Sequence, residues 1–196
     1  MPRTTLRQLN GFDDTPAKLA DSTLVLIDYQ NAYTTGVMEL DGWQDALDAG
    51  ARLLARARQE GAKIVHVVND GGEGTPYDIR AEIGAIHPSV APLDGEPVVV
   101  KKAPNAFVGT DLDQHVDAAG NGDLVIAGFM THMCVAFTAQ GAFLRGNRPT
   151  VVADACATRA LPVADTELDA HQVHYSALAT VADMYGVVVP SQESLA

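Results

Sequence analysis

Short runs of consecutive apolar residues recur along this chain, separated by stretches that carry a helical stripe. Thr23–Ile27 reads Thr-Leu-Val-Leu-Ile, apolar at successive rather than alternate positions. That is the pattern of a strand covered on both faces, as in a parallel sheet. Similar runs at 64–68, 97–100, 124–127, 150–153 and 187–189 predict further strands. Residues 45–60 place Leu47, Leu53, Leu54 and Ala57 on one stripe, and Gly61 follows where a left-handed cap is wanted. Helices are likewise predicted near 111–119, 133–145 and 165–184. Strand, helix and strand repeated in this way predict an α/β fold, a three-layer α-β-α sandwich around a mainly parallel sheet.

One connection breaks the rhythm. Residues 69–96 are rich in glycine and proline (Gly71, Gly72, Gly74, Pro76, Pro88, Pro92, Gly95). A connection that long is usually functional, so a lid or a subunit contact is expected there. No repeat or Ser/Gly linker divides the chain, and one domain spanning 1–196 is expected.

Composition narrows the function. The 196 residues are 47% hydrophobic and 19% charged, which suits a globular protein. Thirteen basic against 25 acidic residues leave a net charge of −12. Such a surface repels phosphate backbones and anionic lipid, so neither nucleic acid nor a membrane is an expected partner. Two cysteines without a CxxC pair do not suggest a disulfide framework or a zinc site. The N-terminal residues lack the apolar core of a secretory signal, and no apolar run approaches the length of a bilayer span. A cytoplasmic, reducing setting is the simplest expectation.

In an open α/β sheet, ligands bind beyond the carboxyl ends of the strands. Asp28 follows the first strand, Lys101 and Lys102 follow the third, and Gly128-Phe-Met-Thr-His-Met-Cys134 follows the fourth and leads into a helix. A cysteine at a helix start lies in the positive end of the dipole, and a nearby ammonium favours its thiolate further. A carboxylate can take the thiol proton and return it to a leaving group. Free N–H groups at the helix start can hold an oxyanion. Each residue also has an ordinary reading: free cysteine is among the most buried types, and Cys156 is read as core. An Asp ending a strand is often a turn residue. Lys102 faces the opposite way from Lys101 on an extended chain and is read as solvent-facing.

These residues resemble the isochorismatase-like superfamily of cysteine hydrolases, which includes nicotinamidases and related amidases. The resemblance runs from about Thr23 to Val189. Its elements are Leu24-Val-Leu-Ile-Asp28-Tyr-Gln30, then Lys101-Lys-Ala-Pro-Asn-Ala-Phe107 with Thr110-Asp-Leu112, then Gly128-Phe-Met-Thr131-His-Met-Cys134-Val135, with Thr138-Ala139 and Asp154-Ala155 after them. The resemblance implies Asp28 as general base and acid, Lys101 as charged partner and Cys134 as nucleophile. It also implies a cis peptide at Phe129–Met130 that turns the Met130 N–H toward the site, forming an oxyanion hole with the Cys134 N–H. Tyr33, Phe107 and His132 are the expected substrate contacts; Trp43 is read rather as a core or interface residue. A homodimer or homotetramer is expected from the same source.

The departures matter too. Nicotinamidases of this family bind a metal through an Asp-x-His pair, where this chain reads His66-Val-Val-Asn69-Asp70-Gly71-Gly72. His171 and His174 share a helical face but are read as solvent or packing residues. No catalytic metal and no cofactor are therefore expected, which weakens nicotinamide as substrate. Isochorismate would need basic groups for two carboxylates, and Arg80 is the obvious one in the long loop. The leading expectation is a cysteine hydrolase cleaving an amide or lactam C–N bond in a small molecule through a thioester. A vinyl-ether hydrolase of the isochorismatase type and a catalytically silent binding scaffold are the alternatives.

Overall fold

The apolar runs pair side by side because, with no polar face to present to water, each strand can only be interior. In the computed structural model, which describes residues 4–120 and 122–196, they form β1 (Thr23–Ile27), β2 (Lys63–Asn69), β3 (Val98–Lys101), β4 (Asp123–Phe129) and β5 (Arg148–Ala157). A short antiparallel hairpin follows, β6 (Leu161–Val163) and β7 (Thr166–Leu168), and then β8 (Val187–Val189). Six strands make one sheet in the order β3-β2-β1-β4-β5-β8, parallel throughout.

The helices are α1 (Leu6–Leu9), α2 (Trp43–Glu60), α3 (Leu112–Ala119), α4 (Ala136–Leu144) and α5 (Ala170–Thr180). On one face, α2 lays Leu47, Leu53, Leu54 and Ala57 against Leu24, Leu26, Val125 and Val152. Gly61 ends it with φ +72°, closing the helix through bonds to Ala57 and Arg58 carbonyls. On the other face, Leu112, Val116, Ala139, Ala142 and Leu178 from α3, α4 and α5 cover Val25, Ile27, Val65, Val99 and Ile126. Successive residues of each strand thus feed opposite cores, which makes the three layers.

Three predicted boundaries change. β5 runs on to Ala157, past the apolar run at 150–153, because Gly128 and Phe129 pair with Cys156 and Ala157 after a shift in register that leaves the extra residues on β5. The helix expected at 133–145 is α4 with a π-helical turn, Thr131–Val135, wound in front of it. The helix expected at 165–184 loses its start to the hairpin and begins only at Ala170, capped by Asp169. Asp169 accepts from the Gln172 N–H while the Gln172 side chain accepts from Asp169 N–H, and that box fixes the start.

The 69–96 connection is fastened down. Gln30, fully buried, donates to Asn69 O and Gly84 O and accepts from Asn69 N. His87 N bonds Tyr29 O, and Asn31 N bonds Ala85 O. The segment is stitched to the exit of β1, where the chain turns toward the site.

Candidate active site

β1 and β4 are neighbours whose chain connections leave in opposite directions across the sheet, so a crevice opens between their carboxyl ends. Asp28 leaves β1 at this point with φ +52°, one of two non-glycine residues in the left-handed region among the described residues. Gly128 of β4 faces it, with φ +138°, and a Cβ there would collide with Ile27 O. Glycine is what lets the two strands close so tightly beside the site.

The structure brings Asp28, Lys101 and Cys134 together. Lys101 ends β3 and turns into the sheet interior, while Lys102 is exposed. Its Nζ lies 2.7 Å from Asp28 Oδ2 and 3.2 Å from Cys134 Sγ. Asp28 and Lys101 are out of contact with solvent, and Cys134 is 7% exposed. The ammonium meets Asp28 as an ion pair without good hydrogen-bond alignment, so both carboxylate oxygens keep lone pairs to spare. The peptide bond Phe129–Met130 is cis. Met130 is extended and the π-helical turn starts right after it, so Cys134 enters at the beginning of a helix whose first N–H groups have no intrahelical partner.

Electrostatics at the sulfur depart from the expected thiolate. Burial first, then the Asp28 carboxylate, push the Cys134 pKa up to about 12, against the smaller opposite pull of Lys101. Asp28 is raised by burial despite Lys101 and Cys134, which makes it a better proton acceptor. Burial opposes the charge on Lys101, but Asp28 and Cys134 together outweigh it and raise its pKa. These directions favour a neutral thiol beside the Asp28–Lys101 contact.

The other expected contacts separate. Tyr33 lies in the site wall, its ring 5.8 Å from Phe129 and 5.5 Å from Tyr77. Burial raises its phenol pKa, with Asp28 adding to the shift. His132 follows Thr131, but its Nδ1 is 2.6 Å from Thr158 Oγ1 and its ring borders a groove between α4 and α5. Phe107 has its ring 5.1 Å from the Arg145 guanidinium at the C-terminal end of α4, and it packs against the core cluster that includes Cys134. The segment before it docks on α4 through Ala106 N to Thr138 Oγ1, and Gly141 leaves room for the Asn105 amide. Trp43 is packed near His87. Arg80 turns back on its own loop, its Nε 2.6 Å from Asp78 Oδ1.

Two residues unmarked by motif stand near these side chains. Tyr77, from the long connection, senses the charges of Cys134 and Asp28. Arg159, just past β5, acts electrostatically on both Tyr77 and His132, and its Nε is buried with no hydrogen-bond partner among the described residues. An arginine beyond a strand end was a visible signal; its orphaned nitrogen was not. Among the described residues, no group of three or more His, Cys, Asp or Glu could hold a metal ion. None of the described helices is long and apolar enough to cross a membrane.

Residues 22–193 match the Isochorismatase domain. A crystal structure of an isochorismatase from Pseudomonas putida KT2440 superposes with a TM-score of 0.96 at 39% identity, covering all of both chains. An uncharacterized isochorismatase family protein of Bacillus subtilis is 36% identical over 177 residues, 89% of this chain and 98% of that one. A maleamate amidohydrolase of Pseudomonas putida is 30% identical over 208 residues, 94% of this chain and 87% of that one.

Proposed function

The chain belongs to the isochorismatase family of hydrolases, and we propose that it cleaves an amide or lactam C–N bond in a small molecule through a thioester on Cys134. The observation that carries this reading is the contact of one buried ammonium with both Asp28 Oδ2 and Cys134 Sγ. A thiol pushed up to about 12 is a poor free nucleophile. It becomes a good one when its proton passes to Asp28 as the S–C bond forms. The carbonyl π electrons move to oxygen, and the Met130 and Cys134 N–H groups receive that oxyanion. Collapse breaks the C–N bond, with the Asp28 proton going to the departing nitrogen. Water then attacks the thioester, giving its proton to Asp28, and the sulfur leaves and recovers it. Lys101 holds the Asp28 carboxylate in place throughout.

The substrate is taken to carry an anionic group. Arg159, near Tyr77 and with its buried Nε unpaired among the described residues, supports this, because a buried guanidinium nitrogen is satisfied by a carboxylate oxygen. Maleamate, for which one relative is named, is an amide of that kind. The oligomer belongs to the same reading: α4 leaves Phe137 and Leu144 exposed on its outer face, where a second copy would cover them. A reducing compartment would keep the thiol available.

The test is ammonia release from a panel of small amides with and without a carboxylate. Activity on the carboxylated members is expected, lost in Cys134→Ala and in Asp28→Asn. Arg159→Gln is expected to raise KM for those members by about tenfold or more while kcat changes little. Turnover surviving in Cys134→Ala would sink the thioester reading and favour ether hydrolysis. A thiol inert to every probe would favour the scaffold.

A further inference from the structure

Thr131 opens the nucleophile turn and is fully buried, so its hydroxyl must find its partner inside the protein. It lies 2.9 Å from Nδ1 of His174, on α5. Burial lowers the His174 pKa, so at neutral pH the ring is a neutral imidazole with one donor and one acceptor. α5 packs directly on the turn, and the other flank of the turn is fastened by His132 to Thr158. Thr158 O in turn accepts from Asp41 N. The short segment between the cis bond and Cys134 is thus held by two side-chain bonds from opposite sides. His174 makes its bond three residues before the nucleophile rather than at the sulfur.

We propose that His174 is a positioning residue: its bond to Thr131 seats the turn whose Met130 and Cys134 N–H groups receive the oxyanion. The inference rests on Cys134 being the nucleophile. The bond acts on the geometry of the hole and leaves the Asp28–Lys101–Cys134 contacts alone. Loss of the bond would strand the Thr131 hydroxyl and let the turn relax by a fraction of an ångström. A misplacement of that size weakens oxyanion capture before it disturbs the thiol.

A small aldehyde separates the two effects. Cys134 adds to propionaldehyde, the S–C bond forming as the C=O π bond breaks and the thiol proton ending on oxygen, so the adduct's oxygen occupies the hole. Its affinity is read as protection of Cys134 from iodoacetamide at pH 9, with peptide mapping to set Cys156 aside. His174→Phe keeps a ring without the bond and is expected to weaken aldehyde binding on the order of tenfold. Its iodoacetamide rate without aldehyde should stay close to that of the parent, while the stranded hydroxyl lowers the melting temperature by several degrees without unfolding the protein. His174→Asn, whose amide oxygen can take the place of Nδ1, should restore most of the affinity. Thr131→Val should match His174→Phe, and the double variant should be no weaker than either alone.

Undiminished aldehyde affinity in both His174→Phe and Thr131→Val, or additive losses in the double variant, would overturn the inference. Absence of protection in the parent protein would instead overturn the reading of Cys134 itself, and this inference with it.

Discussion

At Cys134 two influences of opposite sign act on one sulfur. Lys101 favours the thiolate from 3.2 Å, while burial and the Asp28 carboxylate favour the thiol and prevail. Alkylation of Cys134 by iodoacetamide should therefore be slow at pH 7 and climb about tenfold per pH unit, with no plateau below pH 9. Lys101→Met removes the ammonium that favours the thiolate, so the thiol pKa should rise and labelling should be slower at each pH. A plateau below pH 8 in the parent protein would show the opposite ordering of influences. The sequence allowed the lysine and the helix start to be weighed, since both are local. It gave no measure of how deeply the sulfur would be buried or how near the carboxylate would stand, and those decide the sign.

At the scale of elements, the long connection ends in a charged clasp. Glu96 takes Arg58 of α2 in a two-pronged bond, 2.8 Å on each oxygen, and lies 2.9 Å from Nε2 of buried His66 in β2. Arg58 leads the influences that bring Glu96 from 4.5 to about 2, outweighing a smaller effect of burial. A carboxyl depressed on folding stabilises the fold fully above pH 4.5, and that contribution is lost as pH falls toward 2. Glu96→Gln should cost on the order of 1 kcal/mol at pH 7, since solvent screens the partly open pair, and flatten the acid limb of stability between those values. Urea unfolding at a series of pH values reads both. An unchanged acid limb would mean that the clasp contributes nothing. The apolar strands were legible because double-sided burial leaves a run without alternation. The hairpin was not, because Leu161-Pro-Val163 and Thr166-Glu-Leu168 are three-residue strands whose tail merges with the helical pattern after Asp169. Likewise Asp154 to Ala157 carries weak strand formers, and only pairing with Gly128 and Phe129 makes it a strand.

For the molecule as a whole, the placing of Asp28, Lys101 and Cys134 followed from chain order, since parallel strands put all their carboxyl ends on one side. Tyr77 and Arg159 escaped notice because loops carry them, and loops are placed by tertiary bonds such as those of Gln30. Phe107 is placed in the same way: docking of its segment on Thr138 carries the ring to Arg145. The buried ion pair has one more consequence. Asp28 and Lys101 give up their hydration completely, and mutual attraction at 2.7 Å recovers only part of that loss. Asp28→Asn combined with Lys101→Met, neutral and close in volume, should leave an inert protein that unfolds at equal or higher temperature, with a gain of up to about 4 kcal/mol. Lys101→Met alone should melt lower, since it abandons a carboxylate in the interior. Lower melting of the double variant than of either single one would contradict this. A lineage of this chain bred for heat resistance alone, with nothing to digest, would discard its acid and its lysine early.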